Sequence, residues 1–203
     1  MKREAEIREL LISNAISLIA EGGFERATVR ELVGYSGDLP GFRMNDVYVY
    51  RIFGSKENLY AAAFACLDDE LYAAFKEGID AVAVCEGSIE ERFFEFFKLA
   101  WRFVLRNERR CRCYVRYYYS VYLKGESLAA HKEHFNKIVK DLIPLFSEDA
   151  DVFSIMHSIF TSLLSFAIRV YNGDLENSEL NARHVFNVLY CMLETYLKDS
   201  PKV

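Results

Sequence analysis

The residues whose types and spacing could do chemistry lie between Asn45 and Leu59, in the run Asn45-Asp46-Val47-Tyr48-Val49-Tyr50-Arg51-Ile52-Phe53-Gly54-Ser55-Lys56-Glu57-Asn58-Leu59. It reads as a short helix, a tight turn and the charged start of a second helix. At about 3.6 residues per turn, Val49, Ile52 and Phe53 share one side, while Val47 and Arg51 point away with Tyr48 and Tyr50 on the flanks. The first side is an ordinary core stripe. An outward face of Val, Arg and Tyr is poorly matched to water alone, but it suits a nucleic-acid groove offering base edges, thymine methyls and phosphates. Asp46 fits two roles, an acceptor for cytosine N4 or a favourable charge at a helix N-terminus, and the second is the commoner.

Other reactive residues are less well placed. Cys111-Arg112-Cys113 could be a metal or redox pair, but residues two apart on a helix point to nearly opposite sides. His131 and His134 share a face, yet the adjacent Lys132 and Glu133 suggest a solvated surface. His157, inside an apolar run, reads as a hydrogen-bonded core or pocket histidine. Cys66, Cys85 and Cys191 read as structural. The chain carries no nucleophile elbow, zinc-protease motif or close carboxylate pair, so neither enzymatic activity nor a cofactor is expected. A phosphate-cradling loop is not indicated around Gly34 to Gly41, because no strand precedes it and no Gly-Lys-Ser/Thr follows.

These residues must be positioned by a chain of 203 residues, longer than the common single-domain size of about 100 to 150. Apolar residues make up 52% and aromatics 15%, which fits either a bulky core or a ring-lined cavity. A formal charge of -5 argues against a uniformly basic nucleic-acid binder, so any DNA contact depends on local cations. Five cysteines and a polar start, Met1-Lys2-Arg3-Glu4-Ala5-Glu6, point to a reduced, cytoplasmic protein with no secretory leader. The apolar run from Val152 to Ile168 approaches the lower limit of about 17 to 25 residues for a membrane span. Its His157 and several hydroxyls favour a buried helix instead, with no membrane partner.

Hydrophobic periodicity predicts helices throughout, and strand patterns are absent. Ile7, Leu10, Leu11, Ala15, Leu18 and Ile19 define a first helix that stops at Gly22-Gly23. Thr28 and Glu31 form a capping-box pattern opening a second, short helix toward Gly34. A loop rich in Gly and Pro leads to Asn45, which caps the third helix. Ser55 caps a long helix carrying Leu59, Ala63, Phe64, Leu67, Leu71 and Phe75, with its stripe fading near Gly78. Further helices are expected over about 88–106, 108–123, 128–146, 149–171 and 178–198.

The order of a long helix, Gly-Gly-Phe, Ala27-Thr28-Val29-Arg30-Glu31-Leu32 and then Val49-Tyr50-Arg51-Ile52-Phe53-Gly54-Ser55-Lys56-Glu57-Asn58-Leu59 resembles the TetR family of bacterial transcriptional regulators. The motif-bearing part covers residues 7 to 60; the remainder agrees in being helical and of suitable length. The resemblance implies an all-α homodimer, with a helix-turn-helix DNA-binding domain over 1–54 and a helical effector-binding and dimerisation domain over 55–203. It makes Asn45 to Phe53 the recognition helix, with Val47, Tyr48 and Arg51 facing the groove and Tyr50 near the phosphate backbone. Thr28 and Lys56 sit where the family contacts phosphates, and helix N-termini at Thr28 and Ser55 favour anions independently. Asp38 to Arg43 lengthens the link between the second and third helices by about six residues over the usual turn of about 3 to 4. From it Arg43 could reach a phosphate, or the loop could bulge into solvent.

The C-terminal body offers two aromatic faces, Phe93, Phe96, Phe97, Ala100 and Val104 on one and Tyr114, Tyr117, Tyr118, Val121 and Tyr122 on another, with Trp101 on a flank. They fit a plain core or an effector pocket formed by Phe93, Phe97, Trp101, Tyr114, Tyr117, Tyr118, Tyr122 and His157. No charged residue clearly falls on those faces, so a small, mostly apolar effector is expected. The small side Ser158, Ser162 and Ser165, with Phe186, Leu189 and Leu193 on the last helix, fits a four-helix dimer interface, as in the family, or an internal core. The function so implied is a ligand-responsive DNA-binding regulator, a repressor released from its operator by that effector. Two other classes remain open: a helical ligand-binding or adaptor protein without operator recognition, and a thiol- or metal-responsive regulator.

Overall fold

The computed structural model describes residues 2–35, 44–84 and 86–198. Residues 36–43, expected above as a loop and including Arg43, lie outside the described residues, as does Cys85. Among the described residues the regular elements are all helical, so the fold is all-α as expected. They are α1 (Lys2–Gly22), α2 (Val29–Gly34), α3 (Val47–Phe53), α4 (Lys56–Val84), α5 (Ile89–Arg106), α6 (Glu108–Tyr118), α7 (Gly125–Leu142), α8 (Val152–Tyr171) and α9 (Glu179–Cys191). Single 3-10 turns follow α7 at Ile143–Leu145 and α9 at Glu194–Tyr196, and Phe146 bridges Leu197 between them.

The helix starts are written in the sequence. Thr28, Ser55, Ser88, Asp151 and Ser178 each turn a side-chain oxygen onto a backbone N–H of the first turn that has no partner within the helix. At Ser88 the box is reciprocal, Glu91 returning a bond to the Ser88 N–H, which holds the Glu91 carboxyl below its usual range. Three helices end earlier than their stripes suggest: α6 stops at Tyr118, α7 at Leu142 and α9 at Cys191. In contrast α4 runs on past Gly78, because that glycine is a packing site. A Cβ there would come within 2.7 Å of the Phe96 ring, so α5 approaches α4 only over a bare backbone.

The chain divides into two compact units, Met1–Asp69 with Arg109–His131, and Glu70–Glu108 with Lys132–Val203. A cut at residue 54 does not describe this division, since α4 and α7 each contribute to both units and α6 lies with the N-terminal helices. In the first unit, Ile7, Leu11, Leu18 and Ile19 of α1 are buried together with Leu32, Val49, Leu59 and Phe64. In the second, α5, α8 and α9 pack on one another around Phe93, Phe97, Leu163, Leu164 and Phe186. Among the described residues α8 alone is long and apolar enough to cross a membrane by length and composition. It buries Val152, Met156, Leu163, Leu164 and Ala167 within this unit and exposes Ser154, His157, Ser158 and Ser165.

Candidate nucleic-acid interface

The α3 segment is short, and local bonds hold both of its ends. Asn45 Oδ1 accepts from the Val47 N–H at 3.1 Å, fixing the start of the helix. At the other end Gly54 adopts φ 77°, a left-handed conformation costly for residues with a Cβ, and its N–H closes onto the Tyr50 carbonyl at 2.8 Å. Asn58 then donates from its side chain to the Phe53 carbonyl at 2.8 Å, while its own N–H is capped by Ser55 Oγ at 3.1 Å. The turn between α3 and α4 is thus bonded from both sides.

Sidedness follows the sequence pattern. Val49 and Phe53 are buried toward α1, with the Arg8 guanidinium 5.6 Å from the centre of the Phe53 ring. On the opposite side Val47 is 63% exposed and Tyr50 54%. Arg51 lies with its Cζ 4.5 Å from the Tyr48 ring centre, a cation–π arrangement, and its Nε is 4.0 Å from Glu4 Oε1 of α1. Glu4 was not apparent from sequence, because its approach to Arg51 crosses two helices. Thr28 and Lys56 both reach solvent at helix N-termini. The Thr28 oxygen already accepts from the Glu31 N–H at 3.3 Å, which leaves its O–H to donate. Asp46 stands at the helix start without a capping bond of its own.

The platform behind this face is a polar-aromatic core. Asn14, 1% exposed, donates to the Leu32 carbonyl at 2.8 Å and ties α1 to α2. The Tyr60 hydroxyl donates to the Ala27 carbonyl, and Phe24 packs against the rings of Tyr60, Tyr117 and Tyr122. Burial raises the Tyr60 phenol to about 12.

No family model matches the sequence, and no curated protein does. Solved structures do match. A TetR family transcription regulator from Marinobacter aquaeolei superposes with a TM-score of 0.73 at 16% identity, over 94% of this chain and 97% of that one. The chain has the TetR-type fold. The fatty acid degradation regulator FadR from Bacillus halodurans follows at 0.64 and 15% identity, over 89% and 96% of the two chains. The TetR family regulator PfmR from Thermus thermophilus is similar at 0.60 and 19%, over 88% and 96%.

Within this TetR-type fold the residues expected to line one effector pocket fall into separate groups. Phe93, Phe97 and Trp101 are buried in the second unit, where Phe97 stacks on Trp101 and meets Phe186. Tyr114, Tyr117, Tyr118 and Tyr122 belong to the first unit, and their rings pack on Phe24, Phe64 and His131. The Tyr117 hydroxyl donates to the Tyr122 carbonyl at 3.0 Å, so its polar end is satisfied by protein. His157 is exposed, edge-on to Phe135 at 6.1 Å between ring centres, and is not a core histidine.

A charged group does fall among these rings, against expectation. Asp68 of α4, 5% exposed, accepts from the Tyr114 hydroxyl at 3.1 Å and lies 2.8 Å from His131 Nδ1. His131 is therefore enclosed rather than solvated. Burial, and then the neighbouring Asp68, push the Tyr114 phenol far above its ordinary range. The available signal was spacing: Asp68 follows Phe64 by four residues and so lies on the edge of the buried α4 stripe.

The expected dimer residues also separate. Ser158 and Ser165 are exposed and Ser162 half-buried, but Phe186, Leu189 and Leu193 are 3%, 4% and 3% exposed, packed inside the protomer. The helix turns a different side outward, with Leu180, His184, Val188 and Cys191 in solvent. Cys191 is thus a surface thiol, whereas Cys111 and Cys113 are both buried, and burial raises Cys113 to about 12.

Proposed function

We propose that this chain is a homodimeric transcriptional regulator that binds double-stranded operator DNA through α3 and represses until a small, mostly apolar effector releases it. The observation that carries this reading is the two-sidedness of α3: Val49 is fully buried while Val47, Tyr50 and Arg51 face solvent on a helix clamped at both ends. Exposed Val, Tyr and Arg on a rigid seven-residue helix suit a major groove, where Arg pairs with guanine and apolar groups meet the thymine methyl. Lys56 and Thr28 supply phosphate contacts, and Tyr50 a flanking one. Such a protein works on chromosomal DNA in the cytoplasm.

The effector is assigned to the second unit, where Phe93, Phe97 and Trp101 provide apolar surface. A fold neighbour regulates fatty acid degradation, and an acyl chain would suit rings of this kind. Dimerisation is assigned to the outward side of α8 and α9, with Ser158, Ser162 and Ser165 on the first and Leu180 and Val188 on the second. Release by effector requires tighter effector binding to the DNA-incompetent state, and a differential of about 1 to 3 kcal/mol changes DNA affinity by about 5- to 150-fold.

Gel-shift titration of the full chain against the DNA flanking its own gene tests the reading. Saturable, sequence-selective shifts that weaken with Lys56→Ala are expected. Binding that is weak, indifferent to sequence and erased by moderate salt refutes operator recognition and leaves a helical ligand-binding protein.

A further inference from the structure

The outward face of α3 narrows what its operator must contain. We infer that each half-site presents a thymine and a guanine within two base pairs of each other, the thymine C5-methyl meeting Val47 and guanine O6 and N7 meeting Arg51. This deepens the DNA-binding reading above and rests on it.

Four residues along an α-helix rise about 6 Å, and base pairs are spaced about 3.4 Å apart, so Val47 and Arg51 address positions no more than about two steps apart. Val47 is the most exposed apolar side chain of α3 and carries only methyl groups outward. Among base edges in the major groove the thymine methyl is its apolar counterpart.

Arg51 is aimed before DNA arrives. The Tyr48 ring covers one face of its guanidinium, 4.5 Å from Cζ, and Glu4 approaches from the Nε side at 4.0 Å. The guanidinium, on a side chain 53% exposed, carries a fork of two terminal nitrogens that matches the paired acceptors of guanine. Adenine recognition would need an amide presenting both a donor and an acceptor, and α3 itself carries none. Glu4 therefore acts as a positioning residue: it orients Arg51 and reads no base.

The test is site selection with the full-length protein from random duplexes, then anisotropy titration of the selected duplex carrying uracil for thymine or 7-deazaguanine for guanine. Loss of one buried methyl is worth about 0.8 kcal/mol, so uracil is expected to weaken binding about fourfold per half-site in the wild-type chain and to have no effect on Val47→Ala. Loss of N7 removes one arm of a bidentate pair worth about 1 to 3 kcal/mol, so 7-deazaguanine is expected to weaken wild-type binding by up to about 5- to 150-fold, and Arg51→Ala not at all. Glu4→Gln is expected to shrink the guanine to 7-deazaguanine ratio while strengthening binding to all duplexes. A selected site lacking a thymine and guanine at that spacing, or wild-type affinity indifferent to both base analogues, overturns the inference while leaving operator binding intact. Selection of no sequence at all overturns the DNA-binding reading itself. The base-analogue arms use the unmodified protein, so a misfolded variant cannot decide the outcome.

Discussion

Replacing Asp68 by alanine isolates the polar junction of α4, α6 and α7. Its carboxylate is 5% exposed and serves two groups at once, the Tyr114 hydroxyl at 3.1 Å and His131 Nδ1 at 2.8 Å. Alanine removes that acceptor and leaves the Tyr114 hydroxyl and His131 Nδ1 facing each other at 3.4 Å. Each lost bond to the buried carboxylate costs about 1.5 to 3 kcal/mol, offset in part because that charge no longer has to be desolvated and because the two groups can bond each other. A net loss of about 3 kcal/mol follows. For a chain of this length each kcal/mol moves the melting midpoint by about 2 to 4 °C, so Asp68→Ala should melt about 6 to 12 °C early. Asp68→Asn keeps an oxygen at the same place and should lose only about 1 kcal/mol. The assay is thermal unfolding followed by circular dichroism, with amide exchange to locate the loss. Protection should fall in 56–69 and 109–131, which belong to the same compact unit, ahead of 152–191. If Asp68→Ala melts within about 2 °C of wild type, or if the alanine and asparagine variants are equally destabilised, the junction is not the buried network described.

Three further outcomes are expected. Lys56→Ala should weaken binding across all duplex sequences and reduce the slope of log K against log salt by about 2 per dimer, one phosphate contact per protomer at about 0.9 each; an unchanged slope removes Lys56 from the interface. Alkaline titration should destabilise the protein: the Tyr60 phenol ionises near 10 when unfolded and near 12 when folded, so its contribution is intact below pH 10 and is lost as pH rises to 12, amounting to about 2 to 3 kcal/mol. Tyr60→Phe should flatten that part of the curve, measured by urea melts at successive pH values. Finally, Val188→Glu, on an α9 side chain 48% exposed, should leave the fold intact and yield monomers by light scattering, whereas Phe186→Ala should cost about 3 to 5 kcal/mol in stability by opening a core cavity. A stable dimer in Val188→Glu places the interface elsewhere.

Much of the local architecture was legible in the residues alone, because the interactions that set it act over a few positions. Thr28, Ser55, Ser88 and Ser178 announce helix starts since their oxygens reach only three residues ahead, and each is found doing so. The two sides of α3 follow from periodicity, and the burial of Val49 and Phe53 against exposed Val47 and Tyr50 agrees with it. Tertiary structure decided which partners distant segments choose. Asp68 meets Tyr114 and His131 across 46 and 63 residues: spacing puts it on the edge of the buried α4 stripe but does not say which distant partners it finds there. The wide apolar stripe of α9 could turn either flank inward, and packing against Phe94 and Phe97 of α5 selected Phe186 for the core and left Val188 outside. Periodicity states that a face is apolar; only the shape and position of the neighbouring helix decide which part of that face it covers, because burial is a property of two surfaces and a sequence pattern describes one.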